Sequence, residues 1–175
     1  MRLLFEMDAR DYDRNGVAFI RHSARCIYIK DGLAAMAHSI KYDYYKFPGG
    51  GIEKGESRED AMIRETREEA GLAVVPGSVK EYGYVHRIQK SDNKDADYFV
   101  QDNYYYLCEI EEGLQVQNLD AYEADEKFTL EYVEPDRAIL VNRDVNHGPA
   151  DPIMLEREAR VLELLKKEGY FNRAF

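Results

Sequence analysis

Cysteine, histidine and long apolar runs are all scarce in this chain of 175 residues. Its two cysteines, Cys26 and Cys108, lie far apart and lack the spacing of metal ligands, so we expect two ordinary buried thiols. The four histidines are equally scattered, which predicts structural roles for them. No apolar run reaches the length of a membrane span, and acidic residues interrupt the one near the N-terminus. We therefore expect neither a signal peptide nor a membrane span, and a cytoplasmic location.

Positive charge is also in short supply. Lysine and arginine number 24 against 34 aspartates and glutamates, which gives a net charge of -10. Such a surface repels nucleic-acid polymers and anionic membranes, so neither is expected as the main partner. A small anionic ligand remains compatible with this charge, provided that a positive group bridges it to the protein.

Repeats, low-complexity tracts and linkers are absent as well, and the length suits one domain spanning residues 1–175. The apolar runs around Asp31-Gly32 predict a hairpin, and glycines 49–51 are expected outside regular structure. A short helix is expected near Pro135, and a packing helix at about 152–168 follows the capping residue Asp151. Further strands are expected at 44–47, 78–88, 101–110 and 128–135. Strands and helices in this order predict an α/β fold with a mixed sheet between helices.

A helix at 58–70 is predicted with clear ends, since Ser57 suits the N-cap and Gly71 suits the C-terminal stop. Steps of about 100° per residue bring Glu65, Glu68 and Glu69 into one arc about 100° wide. Like charges at these spacings cost a few tenths of a kcal/mol per pair, roughly, in an exposed helix. One interpretation is a solvated charged face offset by nearby arginines; the other is a site that needs the charge. A neighbouring stripe is expected to face the core, formed by Met62, Ile63, Thr66 and Ala70.

The spacing around this helix favours the second interpretation. Gly50 is followed after five residues by Glu56, and after seven more by Arg64-Glu65, Glu68-Glu69, Gly71 and Leu72. The segment from Gly50 to Leu72, called the box below, resembles the Nudix box, G-x5-E-x7-R-E-U-x-E-E-x-G-U, in which U is a bulky apolar residue. Every fixed glycine, glutamate and arginine is present. Thr66 at the first U position is the one departure, and we expect it to cost some packing but no chemistry.

The resemblance implies a fold, an activity and a cofactor. The fold would be a Nudix-type α/β/α sandwich with a mixed β-sheet in a single domain. The loop–helix–loop of residues 50–72 would bind a divalent metal and the diphosphate of a small-molecule substrate, a nucleoside diphosphate linked to another moiety X. The expected metal is Mg²⁺, with Mn²⁺ as a possible substitute, because oxygen ligands suit it and it neutralises the phosphate charge. Dimers are frequent in the family, so a homodimer stays open.

The resemblance also implies roles for individual residues. Glu65, Glu68 and Glu69 would be metal ligands and the catalytic carboxylates, and the carbonyl of Gly49 would be a further ligand. Which carboxylate, in the box or downstream, accepts the proton of the attacking water is left open. Glu56 and Arg64 would form a pair that orients these ligands. The alternative for the pair is a surface ion pair of little value.

An additional metal ligand is expected from the acidic stretch before the strand at 128–135. Magnesium prefers near-octahedral oxygen coordination, and a helix edge approaches an ion from one side only. Glu126, expected on a loop, is the first choice, Glu123 the second, and Asp125 is also available. Each of these acids taken alone could equally be a solvated surface group.

The sequence leaves the substrate and the substrate-binding residues unknown. Arg25 and Arg87 are weaker candidates for a phosphate contact, and the 14 tyrosines are better explained by packing than by base stacking. A non-catalytic nucleotide- or metabolite-sensing module on the same fold is the alternative function, although such a module would be expected to lose box carboxylates. A calcium-binding protein is disfavoured because the acids do not fit an EF-hand loop.

Overall fold

Ten strands and four α-helices follow one another in the computed structural model, which describes residues 1–144 and 146–172. The strands are β1 Leu3–Asp8, β2 Ala18–Ile20, β3 Ser23–Ile27, β4 Ile29–Lys30, β5 Leu33–Ser39, β6 Tyr44–Lys46, β7 Gly49–Gly51, β8 Lys80–Lys90, β9 Tyr98–Leu107 and β10 Phe128–Val133. The helices are α1 Arg58–Ala70, α2 Ala121–Glu126, α3 Pro135–Asn142 and α4 Pro152–Lys167. A single 3₁₀ turn follows at Tyr170–Asn172. In the described part of the chain no helix is long and apolar enough to cross a membrane.

The strands form two sheets. The larger sheet has the order β1-β8-β9-β3-β7, with β2 also paired to β9. It is mixed, because β1 runs parallel to β8 and β3 parallel to β9, whereas β8–β9 and β3–β7 are antiparallel. The smaller sheet has the order β10-β5-β4, with β6 paired to β5, and all its pairs are antiparallel. The predicted α/β fold with a mixed sheet is therefore confirmed.

Side-chain alternation along the central strands separates two apolar cores. Ala24 and Cys26 of β3 pack with Met62 of α1, whereas Ile27 packs with Leu162 of α4. The aromatic run of β9 divides in the same way: Tyr104 and Tyr106 lie in the α1 core, and Tyr105 lies in the α4 core. Because neighbouring strand residues point to opposite faces, the two helices cover opposite sides of the mixed sheet.

The ends of α1 follow the predicted capping chemistry. The Ser57 hydroxyl accepts a hydrogen bond from the Asp60 backbone N–H, and Gly71 adopts a left-handed conformation with φ 66°. The Asp151 carboxylate caps α4 in the same manner through Ile153 N–H. Both cysteines are buried free thiols, as expected, with their Sγ atoms 2.7 Å apart.

The prediction that glycines 49–51 lie outside regular structure is wrong, because they form β7. Gly49, Gly50 and Gly51 pair with Arg25, Ala24 and Ser23 of β3. At Gly49, where φ is 142°, a Cβ would lie 2.2 Å from the carbonyl oxygen of Ala24. Glycine is therefore what permits this close antiparallel pairing, rather than a signal against a strand.

Two further boundaries differ from the sequence prediction. The strand expected before the Asp31-Gly32 turn is divided at Tyr28, so that β3 joins the mixed sheet and only β4 forms the hairpin with β5. The loop expected before β10 contains the helix α2. Its sequence, Asp120 followed three residues later by Glu123, is a capping-box pattern, and the Glu123 carboxylate accepts the Asp120 backbone N–H.

Gly49→Ala should lower the free energy of unfolding by about 3 kcal/mol or more, because both the φ angle and the approach of β3 exclude a methyl group. Gly113→Ala is the matched control: Gly113 also has a positive φ, 95°, but has no atom within 4 Å of a built Cβ. We expect a loss of only about 1 kcal/mol there. Urea unfolding of both variants measures the difference, and similar losses would contradict the close pairing of β7 with β3.

Candidate functional site

A polar cavity of about 410 Å³ opens where the box meets the segment that leads into α2. Acidic side chains dominate its lining. Five carboxylates face only two cations, Arg21 and Arg64, across this small volume. The five are Glu53, Glu65, Glu68, Asp120 and Glu123. Such an excess of negative charge in one cavity favours the binding of a cation.

Arg64 is the centre of the hydrogen-bond network in this cavity. Its guanidinium donates two hydrogen bonds to the Glu56 carboxylate, at 2.8 and 2.9 Å, and one to the Gly51 carbonyl at 3.1 Å. It also donates to Glu65 at 2.8 Å and to Glu68 at 3.1 Å. The Arg64 side chain thus joins β7, the loop that carries Glu56, and two glutamates of α1. The predicted Glu56–Arg64 pair is present, and it lowers the pKa of Glu56 through the hydrogen bonds from Arg64.

Glu65 lies against the glycine strand. A Cβ built on Gly50 would meet the Glu65 carboxylate at 2.3 Å, so the absent side chain of Gly50 provides the space for this group. Burial raises the pKa of Glu65, and the nearby charges of Glu123 and Glu68 add to the rise while Arg64 opposes it. Glu68 is the more open of the two, with 34% of its side chain exposed.

Glu69 does not share the open edge expected for all three box glutamates. Only 1% of its side chain is exposed, because it lies within the buried arc of α1, between Ala61 and Met62 in helical rotation. Its carboxylate forms an ion pair with Lys46 at 2.6 Å and accepts the Gly49 backbone N–H at 2.9 Å. Burial raises the pKa of Glu69 despite the opposing charge of Lys46. The expectation of a common exposed edge is corrected in this respect.

The Gly49 carbonyl, expected as a backbone ligand, accepts a hydrogen bond of 3.3 Å from Arg25. Gly49 is not among the residues that line the acidic cavity, whereas Gly51 is. The structure therefore brings Glu65 and Glu68 into one cavity with Arg64, and leaves Gly49 and Glu69 behind its wall.

The second wall of the cavity comes from α2 and the residues before it. The Glu123 side chain is 8% exposed, and its carboxylate accepts hydrogen bonds from Tyr122 at 2.8 Å and from Lys46 at 3.5 Å. Asp120 and Asn118 also line this wall. Lys46 thus contacts one carboxylate from each of two helices, Glu69 of α1 behind the cavity wall and Glu123 of α2 on it.

Glu126 occupies a different position from the one expected. It is the last residue of α2 rather than part of a loop, and its carboxylate accepts hydrogen bonds from Ser39 at 2.8 Å and Tyr44 at 2.7 Å. It does not line the acidic cavity. Asp125 forms an exposed ion pair with Lys41. Of the three acids considered downstream of the box, only Glu123 faces the box glutamates, because the side chains leave α2 in different directions.

The chemistry of the cavity fits a divalent cation. Its donors are carboxylate oxygens, the ligand type that Mg²⁺ prefers. Within residues 1–144 and 146–172, no three acidic, histidine or cysteine side chains converge closely enough to hold a metal as they stand. The reason is visible in their contacts, since Glu65 and Glu68 are turned towards Arg64, and Glu123 towards Lys46 and Tyr122. Metal binding would require these side chains to turn away from their present partners.

Lys46, Tyr122 and Asp120 were not identified from the sequence. Alternation on β6 was the available signal for Lys46: Tyr45 and Phe47 lie in the α4 core, so Lys46 points to the opposite face with Tyr44. The unrecognised capping box was the signal for Asp120. No pattern in the sequence indicates that Lys46 reaches Glu69, because that contact joins two elements that are distant along the chain.

Comparison with known proteins gives a consistent picture. The family model described as NUDIX domain matches residues 16–155. An RNA pyrophosphohydrolase from a Nitratiruptor species is 32% identical over 146 residues, which cover 77% of this chain and 82% of that protein. A protein named Uncharacterized Nudix hydrolase YvcI, from Bacillus subtilis (strain 168), is 27% identical over 103 residues, covering 55% of this chain and 65% of that protein.

Solved structures show the likeness of the fold. The E. coli ORF135 protein superposes with a TM-score of 0.54 at 19% identity, covering 85% of this chain and 92% of that chain. A MutT structure, from work on the Aliivibrio salmonicida and Vibrio cholerae proteins, gives a TM-score of 0.53 at 21% identity, covering 86% and 99%.

Arg64→Ala should lower the free energy of unfolding by about 1–3 kcal/mol without divalent metal, because it removes five hydrogen bonds, four of them to carboxylates. Arg67→Ala is the control from the exposed side of the same helix, and it should change stability by less than about 0.5 kcal/mol. Denaturant unfolding in EDTA gives both values. Equally small effects would reduce the Arg64 network to a surface ion pair.

Proposed function

The chain belongs to the Nudix hydrolase family, and from this premise we propose that it hydrolyses a diphosphate bond in a nucleoside diphosphate linked to another moiety, with Mg²⁺ as the metal. Family members generally use divalent cations, and Mn²⁺ is a possible substitute here. The observation that carries the proposal is the acidic cavity, in which a complete box brings Glu65, Glu68 and Arg64 together with Glu123.

Glu65, Glu68 and Glu123 are the residues proposed to hold the metal. A bound Mg²⁺ would supply charge neutralisation at the phosphate oxygens and an activated water. Arg64 keeps Glu65 and Glu68 on the cavity side of α1 and fixes both against the loop that carries Glu56. Glu65 is our candidate for the group that accepts the proton of the attacking water, because it is the half-buried carboxylate held between Gly50 and Arg64.

For Glu69 and Gly49 we propose a role other than the metal ligation that the box resemblance implies. Glu69 is buried, and its carboxylate contacts Lys46 and the Gly49 N–H. Its first role is therefore to join α1 to β6 and β7. It could act on a metal only if Lys46 moved to another partner. Glu69→Gln should therefore destabilise the fold, since it leaves the Lys46 ammonium with the more distant Glu123 as its nearest carboxylate.

The substrate is proposed to be a small diphosphate compound, in line with the net charge of -10. A relative named RNA pyrophosphohydrolase adds RNA as a second substrate class to examine. The non-catalytic sensing module is disfavoured, because every fixed carboxylate of the box is retained. The cytoplasmic location and the homodimer stay predictions.

Hydrolysis is tested with a panel of diphosphate compounds, with Mg²⁺ and with EDTA, by following phosphate and nucleoside monophosphate release. Glu68→Gln should lower turnover by about 100-fold or more, because it removes an accessible proposed metal ligand without disturbing the core. Glu112→Gln, an exposed carboxylate outside the cavity, removes the same charge and should leave turnover unchanged. Equal hydrolysis by wild type and Glu68→Gln would exclude the catalytic assignment.

The downstream ligand is tested by a second pair of variants. Glu123→Gln should lower turnover strongly and raise the Mg²⁺ concentration needed for half activity by about 10- to 100-fold. Glu126→Gln is the matched control, because it removes the same charge from the same helix. Glu126 lies outside the cavity, so this variant should change the Mg²⁺ dependence little. A larger Mg²⁺ effect at Glu126 than at Glu123 would reverse our choice.

A further inference from the structure

A second cavity, of about 360 Å³, lies beside the acidic one and has the opposite charge. We call it the basic cavity. Five cations and two acids are among its lining residues. The cations are Arg25, Lys46, Arg87, Lys90 and Arg157, and the acids are Asp92 and Asp151. For a chain with a net charge of -10, this concentration of positive charge is unexpected.

Four of these cations are buried. The exposed fraction is 7% for Arg25, 6% for Lys46, 4% for Arg87 and 1% for Arg157. Burial of a charged group is costly unless a partner compensates it, so each such group calls for an explanation. Burial lowers the pKa of Arg87; the charge of Asp151 opposes this shift, and the nearby charges of Arg157 and Arg25 add to it.

The compensation is incomplete. Arg157 donates to the buried carboxylate of Glu158 at 2.8 Å, and the Nε of Arg25 is 3.9 Å from the same group. Burial opposes ionisation, yet Arg157 and Arg25 hold the pKa of Glu158 below its ordinary value, so one negative charge serves two guanidiniums. The buried Arg25 Nε makes no hydrogen bond. Arg87 forms its own ion pair with Asp151. The three guanidiniums thus share two carboxylates, Glu158 and Asp151, whereas the fourth buried cation, Lys46, pairs with Glu69 and Glu123.

The basic cavity adjoins the acidic cavity. Lys46 and Tyr122 line the basic cavity, and both donate to Glu123, which lines the acidic one. Arg25 reaches the glycine strand through its hydrogen bond to the Gly49 carbonyl. A substrate held at the acidic cavity could therefore extend past Lys46 and Tyr122 into the basic cavity. Phe19 and Phe99 also line the basic cavity, with ring centroids 5.8 Å apart.

We propose that the basic cavity binds a phosphate group of the substrate that is separate from the scissile diphosphate. The preferred substrates are then diphosphate compounds whose remote moiety carries a phosphate monoester. The planar guanidinium groups match the geometry of phosphate oxygens, and their positive charges neutralise the double negative charge of a phosphate monoester. A neutral sugar or base would leave those positive charges uncompensated. The proposal rests on the proposed function for the bond that is cleaved, but not for the anion site itself.

Binding of inorganic phosphate in EDTA, measured by calorimetry at constant ionic strength, tests the anion site without metal or hydrolysis. Arg87→Gln is the informative variant, because its partner Asp151 is 39% exposed and tolerates the loss. We expect about 10- to 100-fold weaker phosphate binding than in wild type, and an intermediate loss for Arg87→Lys, which keeps the charge but not the fork. Arg160→Gln removes the same charge from a site stacked on Phe5, outside the cavity, and should bind as wild type does.

Matched substrates test whether the reaction uses the site. NADPH and NADH differ by one phosphate monoester, as do coenzyme A and dephospho-coenzyme A. If the proposal is right, at least one pair shows about 10-fold higher kcat/KM for the phosphorylated member, through a lower KM, and Arg87→Gln abolishes that preference while Arg160→Gln retains it.

The possible outcomes separate this proposal from the proposed function. Absence of saturable phosphate binding, or equal binding by wild type and Arg87→Gln, overturns the proposal even if hydrolysis is observed. Hydrolysis without a preference in either pair also overturns it. Phosphate binding with the expected dependence on Arg87, but no hydrolysis of any compound, supports the anion site and contradicts the proposed function instead.

Discussion

The site depends on one constraint, the repulsion between the carboxylates of α1 and those that face them from α2 and the residues before it. Arg64 offsets part of this repulsion, because its guanidinium donates hydrogen bonds to Glu56, Glu65 and Glu68. The buried Lys46 offsets another part of the repulsion through its ion pairs with Glu69 and Glu123. Even so, the acidic cavity keeps five carboxylates against two cations. The same imbalance that would weaken an ordinary helix makes this cavity suited to a divalent cation, as expected for a Nudix-type pyrophosphohydrolase.

The two cavities give the site a division of charge. The acidic cavity suits a metal, and the basic cavity, with Arg25, Arg87 and Arg157, suits an anion directly. Lys46 and Tyr122 stand between them and contact Glu123. In the account proposed above, this acidic protein would contact a phosphorylated substrate at two points, once through a metal and once through arginines.

Much of the architecture follows from local sequence signals. The caps Ser57 and Asp151 and the mixed sheet were predictable, because each depends on neighbouring residues or on alternation. The strand formed by glycines 49–51 was not, since only the partner β3 makes it a strand. The order of the box glutamates along α1 was predictable, but the burial of Glu69 was not. It depends on Lys46, which β6 brings across from another part of the chain.

The choice between Glu123 and Glu126 shows the same limit. Both lie in one acidic stretch, and the sequence favoured a loop there. The helix α2 turns Glu123 to the cavity and Glu126 to Ser39 and Tyr44, a distinction that depends on tertiary packing. The central claim is that this cavity is the metal site of the enzyme. A crystal soaked in Mn²⁺ tests it most directly by anomalous diffraction: the account predicts a peak among Glu65, Glu68 and Glu123. A metal peak elsewhere, with that cavity empty, would contradict it.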